Sequence, residues 1–174
     1  PHVSFASLPG MWERTITLNG FSKAFAMTGW RMGYACAPRE LLDVMVKIHQ
    51  YTMLCAPTAG QYAALEALEA GRETGYEDVQ HMVRTYDRRR RIVVDSFNKM
   101  GLNCFEPLGA FYAFPSISSQ QFCEELLKAK KVAAVPGDAF GKLGEGHIRV
   151  SYATATDKVI EAMKRIAEFV EERK

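Results

Sequence analysis

One helical period runs almost unbroken from about Tyr76 to Met100. Val79, Met82, Val83, Tyr86, Val93 and Phe97 recur at steps of three, four and seven before Gly101 ends the pattern. A helix of that length exceeds what one small core needs, and such helices often bridge two domains. The chain is therefore expected to divide into residues 1–72, and residues 73–174 containing the long helix and all that follows it. With 174 residues, 48% hydrophobic and 24% charged, the composition is globular and the length suits one domain or two small ones.

The two parts differ in texture. In the first, Arg14 to Gly20 and Met32 to Pro38 read as short strands. They flank a loop and lead into two helices. One runs from Arg39 to about Met53, with Leu41, Leu42, Met45, Ile48 and Thr52 on a stripe. The other has Pro57 near its start and Gly71 just past its expected end. After Gly101 come short strand candidates, "LNCFEP", "GAFYAFP", "VAAVPG" and "HIRVSYA", with helices expected at Gln120 to Lys131 and Thr154 to about Arg173. Thr154 and Asp157 make a capping signal for the last helix. Mixed short strands with helices on one side imply an α/β class.

Composition also excludes some functions. A net charge of +2 gives no strong pull toward nucleic acid or acidic membranes. The four arginines Arg88 to Arg91 circle a helix instead of lining one face, so they read as a solvated or ion-paired surface. No apolar run is long enough to span a bilayer. Cys36, Cys55, Cys104 and Cys123 lack C-x-x-C spacing and lie at no zinc-ligand spacing from a histidine. Free, mostly buried thiols in a reducing cytoplasm are expected, with no metal. The opening "PHVSFASLPG" reads like the middle of a polypeptide, so a piece of a longer chain is expected.

The chemistry concentrates in "NGFSKAFAMTGWRMGY", Asn19 to Tyr34, where Lys23 and Arg31 are lone cations among apolar and small residues. Desolvation lowers the pKa of a lysine and makes its amine nucleophilic toward an aldehyde, with which it forms a Schiff base. Arginine stays charged and presents a planar fork suited to phosphate. Ser22 adds a hydroxyl, and Gly20, Gly29 and Gly33 permit close approach or sharp turning. An aldehyde and a phosphate on one ligand describe pyridoxal phosphate. A lysine in an apolar loop also reads as a snorkelling surface residue, and spacing alone does not separate the two.

The residues do carry a resemblance. Gly20-Phe21-Ser22-Lys23 followed by Gly29-Trp30-Arg31-Met32-Gly33 resembles the lysine signature of fold-type I, class I/II pyridoxal-phosphate aminotransferases. "PLGAFYAFP" and "VAAVPGDAFGKLGEGHIRVSYA" resemble two further family blocks, so the similarity runs through essentially the whole chain. "KAFAMTGWRMGY" looks most like the bacterial and archaeal aspartate/aromatic-type members. The resemblance implies a PLP-dependent transferase-like fold, here the C-terminal part of the large domain plus the small α/β domain. It implies that Lys23 is the catalytic residue that binds the cofactor aldehyde and moves a proton at the substrate Cα. It implies that Ser22 and Arg31 hold the cofactor phosphate.

In "HIRVSYA", Ile148, Val150 and Tyr152 should face the core and Arg149 the other side. The resemblance makes Arg149 the clamp for the substrate α-carboxylate; the structural alternative is an arginine paired with a nearby acid. Phe111 reads either as lining the substrate pocket or as a core aromatic.

The implied activity is ping-pong exchange of an amino group between an L-amino acid and a 2-oxo acid, in a cytoplasmic homodimer binding neither nucleic acid nor membrane. The family also needs an aspartate at the pyridine nitrogen and a Gly-rich phosphate loop. Neither is recognisable in the 22 residues before Lys23, so the chain alone is expected to be inactive. Two other readings stand beside transamination: a C–S β-lyase on the same scaffold, and an aminotransferase-like effector domain of a transcription regulator.

Overall fold

The computed structural model describes residues 2–117 and 121–173. The chain forms two compact units, Pro1–Gln80 and His81–Lys174.

The first unit is built on a hairpin. Strand β1 (Thr17–Gly20) pairs antiparallel with β2 (Gly33–Cys36), in register from Thr17 opposite Cys36 to Gly20 opposite Gly33. Between them lies the single helical turn α1 (Phe21–Ala24) and a 3-10 turn at Thr28–Trp30. The long helices α2 (Arg39–Thr52) and α3 (Thr58–Thr74) follow. Phe21, Met27, Met32 and Ala64 form the buried cluster that locks the loop onto α3. A Cβ at Gly60 would lie 2.8 Å from Met32 Sδ and 3.3 Å from the Trp30 carbonyl oxygen, so only glycine lets α3 approach here.

Helix α3 outruns its expected end. Gly71 lies inside it, and the left-handed residue that closes it is Gly75, at φ +65. Gly71 instead leaves room for the Tyr76 ring, which a Cβ there would strike, and its carbonyl accepts from Tyr76 N–H at 2.6 Å. The apolar stripe of α2 is present, yet none of its residues is buried in this chain.

Helix α4 (Glu77–Lys99) leads into the second unit. There, β3 (Tyr112–Ala113), β4 (Val135–Pro136) and β5 (Ile148–Ser151) form an antiparallel sheet in the order β3-β5-β4. Helices α5 (Phe122–Lys130) and α6 (Thr156–Glu171) complete it. Val93 and Phe97 of α4, Leu126 of α5 and Ile166 of α6 join Ile148 and Val150 in one buried core. Phe122 meets Phe169 edge-on at 5.2 Å, tying α5 to α6.

Three local expectations are corrected. "LNCFEP" forms no strand: the Asn98 side chain takes both backbone groups of Cys104 (N–H to Oδ1 at 2.9 Å, Nδ2 to the carbonyl at 3.1 Å), which closes the turn after α4. Helix α6 begins at Thr156 after Ala155, without a side-chain cap, so the Thr154–Asp157 signal is unused. The Thr156 hydroxyl accepts from Arg89 Nε at 3.1 Å. The thiols split evenly: Cys104 and Cys123 are buried, Cys36 and Cys55 exposed.

Within the arginine run, Arg90 and Arg91 are ion-paired. Arg90 bonds Asp87 at 2.6 Å and also Glu106, and Arg91 reaches Asp87 at 2.7 Å. The Arg90 guanidinium holds the Asp87 carboxyl below its ordinary pKa.

Burial pushes the Cys104 and Cys123 thiols up, which starves them of the reactive thiolate. A chromogenic thiol reagent at neutral pH should therefore label Cys36 and Cys55 rapidly and the other two only after unfolding, which a timed absorbance titration will show. Among the described residues, no helix is long and apolar enough to cross a membrane, and no His/Cys/Asp/Glu cluster could hold a metal.

Candidate cofactor and substrate site

The hairpin end of the first unit assembles three of the expected residues. Gly20 and Gly33 face each other across the ladder, and a Cβ on Gly33 would sit 3.1 Å from the Asn19 carbonyl oxygen. Ser22 and Lys23 leave the backbone just after this glycine pair, and Arg31 just before it. The loop is tied internally: Phe21 N–H donates to the Met32 carbonyl at 3.2 Å, and the Thr28 hydroxyl donates to the Ser22 carbonyl at 2.8 Å. Arg31 adopts left-handed backbone at φ +58, the bend that carries the 3-10 turn into β2. Its Nη1 donates to the Thr28 carbonyl at 2.9 Å, folding the side chain back over its own loop.

Lys23 departs from the sequence expectation of a desolvated amine, because it is exposed in this chain. The reason lies in the short helix. Phe21 and Phe25 are four apart and share a face, with ring centroids 5.3 Å apart. That face turns into the cluster with Met27 and Met32, and Lys23, halfway between, points the other way. The apolar residues around it in sequence are thus the anchor of the loop, not the wall of a pocket around the amine.

The second unit holds the other two expected residues. Alternation along β5 is as expected: Ile148, Val150 and Tyr152 are buried, and Arg149 lies on the opposite face. Among the described residues no ion pair to an acid is seen at Arg149. Its guanidinium lies over two rings instead, 4.5 Å from the centroid of Tyr112 and 4.3 Å from that of Phe140. Phe111 is half-buried against the core and stacks on Tyr86 at 5.7 Å. It also borders an open depression of about 290 Å³ shared with Tyr86, Arg90, Pro107 and Tyr152. Phe111 thus packs against the core on one side and borders this depression on the other.

Sequence reasoning did not single out Tyr112 and Phe140. The signal for Tyr112 was its place beside Phe111 on an alternating strand. The signal for Phe140 was its place in the block that opens with Pro136-Gly137.

The donor set at the hairpin fits a ligand with an aldehyde and a phosphate: an amine, a hydroxyl and a guanidinium on one braced loop.

Comparisons with known proteins identify the family. YugH of Bacillus subtilis (strain 168), which carries an aminotransferase name, is 56% identical over 97% of this chain and 44% of its own length. An aspartate aminotransferase of Pyrococcus abyssi is 51% identical over 99% of this chain and 45% of its own. The crystal structure of an aromatic aminotransferase from Pyrococcus horikoshii superposes with a TM-score of 0.91 at 50% identity, over 99% of this chain and 47% of that one. The chain thus spans under half the length of these relatives. The model of the family "Aminotransferase class I and II" matches residues 5–166, nearly the whole sequence, and the chain belongs to that family.

Proposed function

We propose that this chain supplies the lysine loop and the carboxylate-binding strand of a pyridoxal-phosphate-dependent aminotransferase. Such an enzyme moves an amino group between an L-amino acid and a 2-oxo acid by ping-pong exchange. The observation that carries the reading is the hairpin end, where Ser22, Lys23 and Arg31 leave the backbone on either side of the Gly20–Gly33 pair. Bound pyridoxal phosphate supplies an aldehyde for an amine and an electron-withdrawing ring.

Each residue then has a task. The Lys23 amine would hold the aldehyde and would serve as the base for the proton at the substrate Cα. Ser22 and Arg31 hold the phosphate, which fixes the ligand against rotation. Arg149 binds the substrate α-carboxylate through its in-plane N–H donors, and Phe111 borders the substrate. Residues 1–72 are the part of a cofactor-binding domain that bears the lysine, and 73–174 a connecting helix and small domain. A cytoplasmic homodimer is the proposed setting. The aspartate and phosphate loop that the family uses lie in the portion of the relatives this chain does not span.

The test is visible absorption with pyridoxal phosphate. It is run on this chain and on the chain joined to the part of the Bacillus relative that it does not span. The joined protein should show a protonated-imine band that Lys23→Ala lacks, and the chain alone should turn over no amino acid with a 2-oxo acid. Equal spectra for the joined protein and its Lys23→Ala variant would remove Lys23 from the role.

A further inference from the structure

The block Pro136-Gly137…Phe140-Gly141 is conspicuous in the sequence, and the function above gives it no task. Phe140 is 52% exposed, so burial of its ring does not explain its place. Its neighbour is the guanidinium of Arg149, 4.3 Å from the ring centroid. The segment that carries it is held tightly. Gly137 and Gly144 face each other so closely that a Cβ on either would run into the backbone of the other. Gly137 N–H donates to the His147 carbonyl at 2.8 Å, and Pro136 pairs with Ile148, the residue before Arg149. After Phe140 the chain turns away at Gly141, φ +122. The 3-10 turn Gly137–Phe140 is therefore indexed to β5 next to Arg149.

Tyr112 is placed by a separate element. It pairs with Ser151 across β3 and β5, which puts it diagonal to Arg149 on the face away from the core. A diagonal neighbour is within reach of an aromatic side chain, and the ring centroid lies 4.5 Å from the guanidinium carbon. A ring over a guanidinium occupies its face, whereas all five N–H donors lie in its plane. Two rings within 4.5 Å of the guanidinium carbon restrict its tilt, and a ring stacked on the face leaves the in-plane donors available.

We propose that Tyr112 and Phe140 are positioning residues: together they fix the plane of the Arg149 guanidinium so that its edge is presented to a carboxylate. The carboxylate part rests on the function proposed above; the ring placement does not.

The experiment is nitrogen–proton NMR of the arginine Nε–H signals of the chain, with the Arg149 signal assigned by its loss in Arg149→Lys. The signal should be displaced upfield by the ring currents. Phe140→Leu should return it toward the ordinary arginine position, and Phe140→Tyr should keep it displaced. A purely space-filling role would make leucine and tyrosine equivalent. Titration with 2-oxoglutarate should move the same signal, with binding about five-fold weaker in Phe140→Leu, since a ring–cation contact contributes roughly 1 kcal/mol. An undisplaced native signal, or one that Phe140→Leu leaves in place, overturns the proposal. A displaced signal that 2-oxoglutarate does not move supports the ring placement and removes the carboxylate role of Arg149.

Discussion

Gly137→Ala should unfold the second unit at markedly lower urea, with a loss of about 3 kcal/mol or more. The new methyl group would lie 2.9 Å from the His147 carbonyl oxygen and 2.9 Å from Phe114 Cζ, and closer still to the Gly144 carbonyl oxygen. Two of those three obstacles are backbone, and neither can swing aside as a side-chain end would. Relief requires β4 to move off β5, which would break the Gly137 to His147 hydrogen bond and disturb the Pro136–Ile148 pairing. Ile148 is fully buried, so that motion opens the core. The φ of Gly137 is not the issue, since it lies outside the left-handed region; space is. Gly109→Ala is the control: nothing stands within 4 Å of its Cβ position, so its midpoint should stay within about 0.5 kcal/mol of the native value. Gly144→Ala should resemble Gly137→Ala, because the collision is reciprocal.

The same glycines show how far the sequence could be read. Periodicity located α2 and α4, because a 3.6-residue stripe survives any tertiary arrangement: both end within a residue or two of expectation. Alternation placed Ile148, Val150 and Tyr152 inward, because a strand beside a core leaves no other choice. What failed depended on contacts distant in sequence or on competition between local bonds. Gly71 looked like a helix terminator, but its task is to admit the Tyr76 ring. The strand expected at "LNCFEP" lost both backbone groups of Cys104 to Asn98. Thr154 lost its capping position because the helix begins two residues later.

The candidate site divides in the same way. Lys23, Ser22 and Arg31 were legible because they lie within one loop at fixed spacing, and the hairpin keeps sequence neighbours together. The setting of Arg149 was not. Its rings come from β3 and from the turn after β4, and only the β3-β5-β4 order brings them to one strand. The exposure of Lys23 was also beyond a one-dimensional reading, which sees greasy neighbours but not which way a four-residue helix rolls.

In the chain joined to the remaining part of the Bacillus relative, Lys23→Ala should lower kcat by on the order of 10^4-fold while the fold is retained. Retention follows from exposure: the Lys23 side chain belongs to no buried cluster, and Phe21, Met27 and Met32 anchor the loop without it. The loss follows from chemistry, since alanine offers neither an amine for the aldehyde nor a base for the Cα proton. Lys23→Arg should not rescue, because a guanidinium stays protonated and is neither nucleophile nor base near neutral pH. A small primary amine added to Lys23→Ala should restore part of the rate, with the gain growing with the basicity of the amine, because the missing group is a proton acceptor. Arg149→Lys should behave differently, raising KM by roughly ten-fold or more through loss of a charged hydrogen-bond pair. It should leave the cofactor absorption unchanged. A Lys23→Ala variant that turns over at the native rate would mean that the proton at Cα is taken by another group, and Lys23 would then be only one end of a well-braced surface loop.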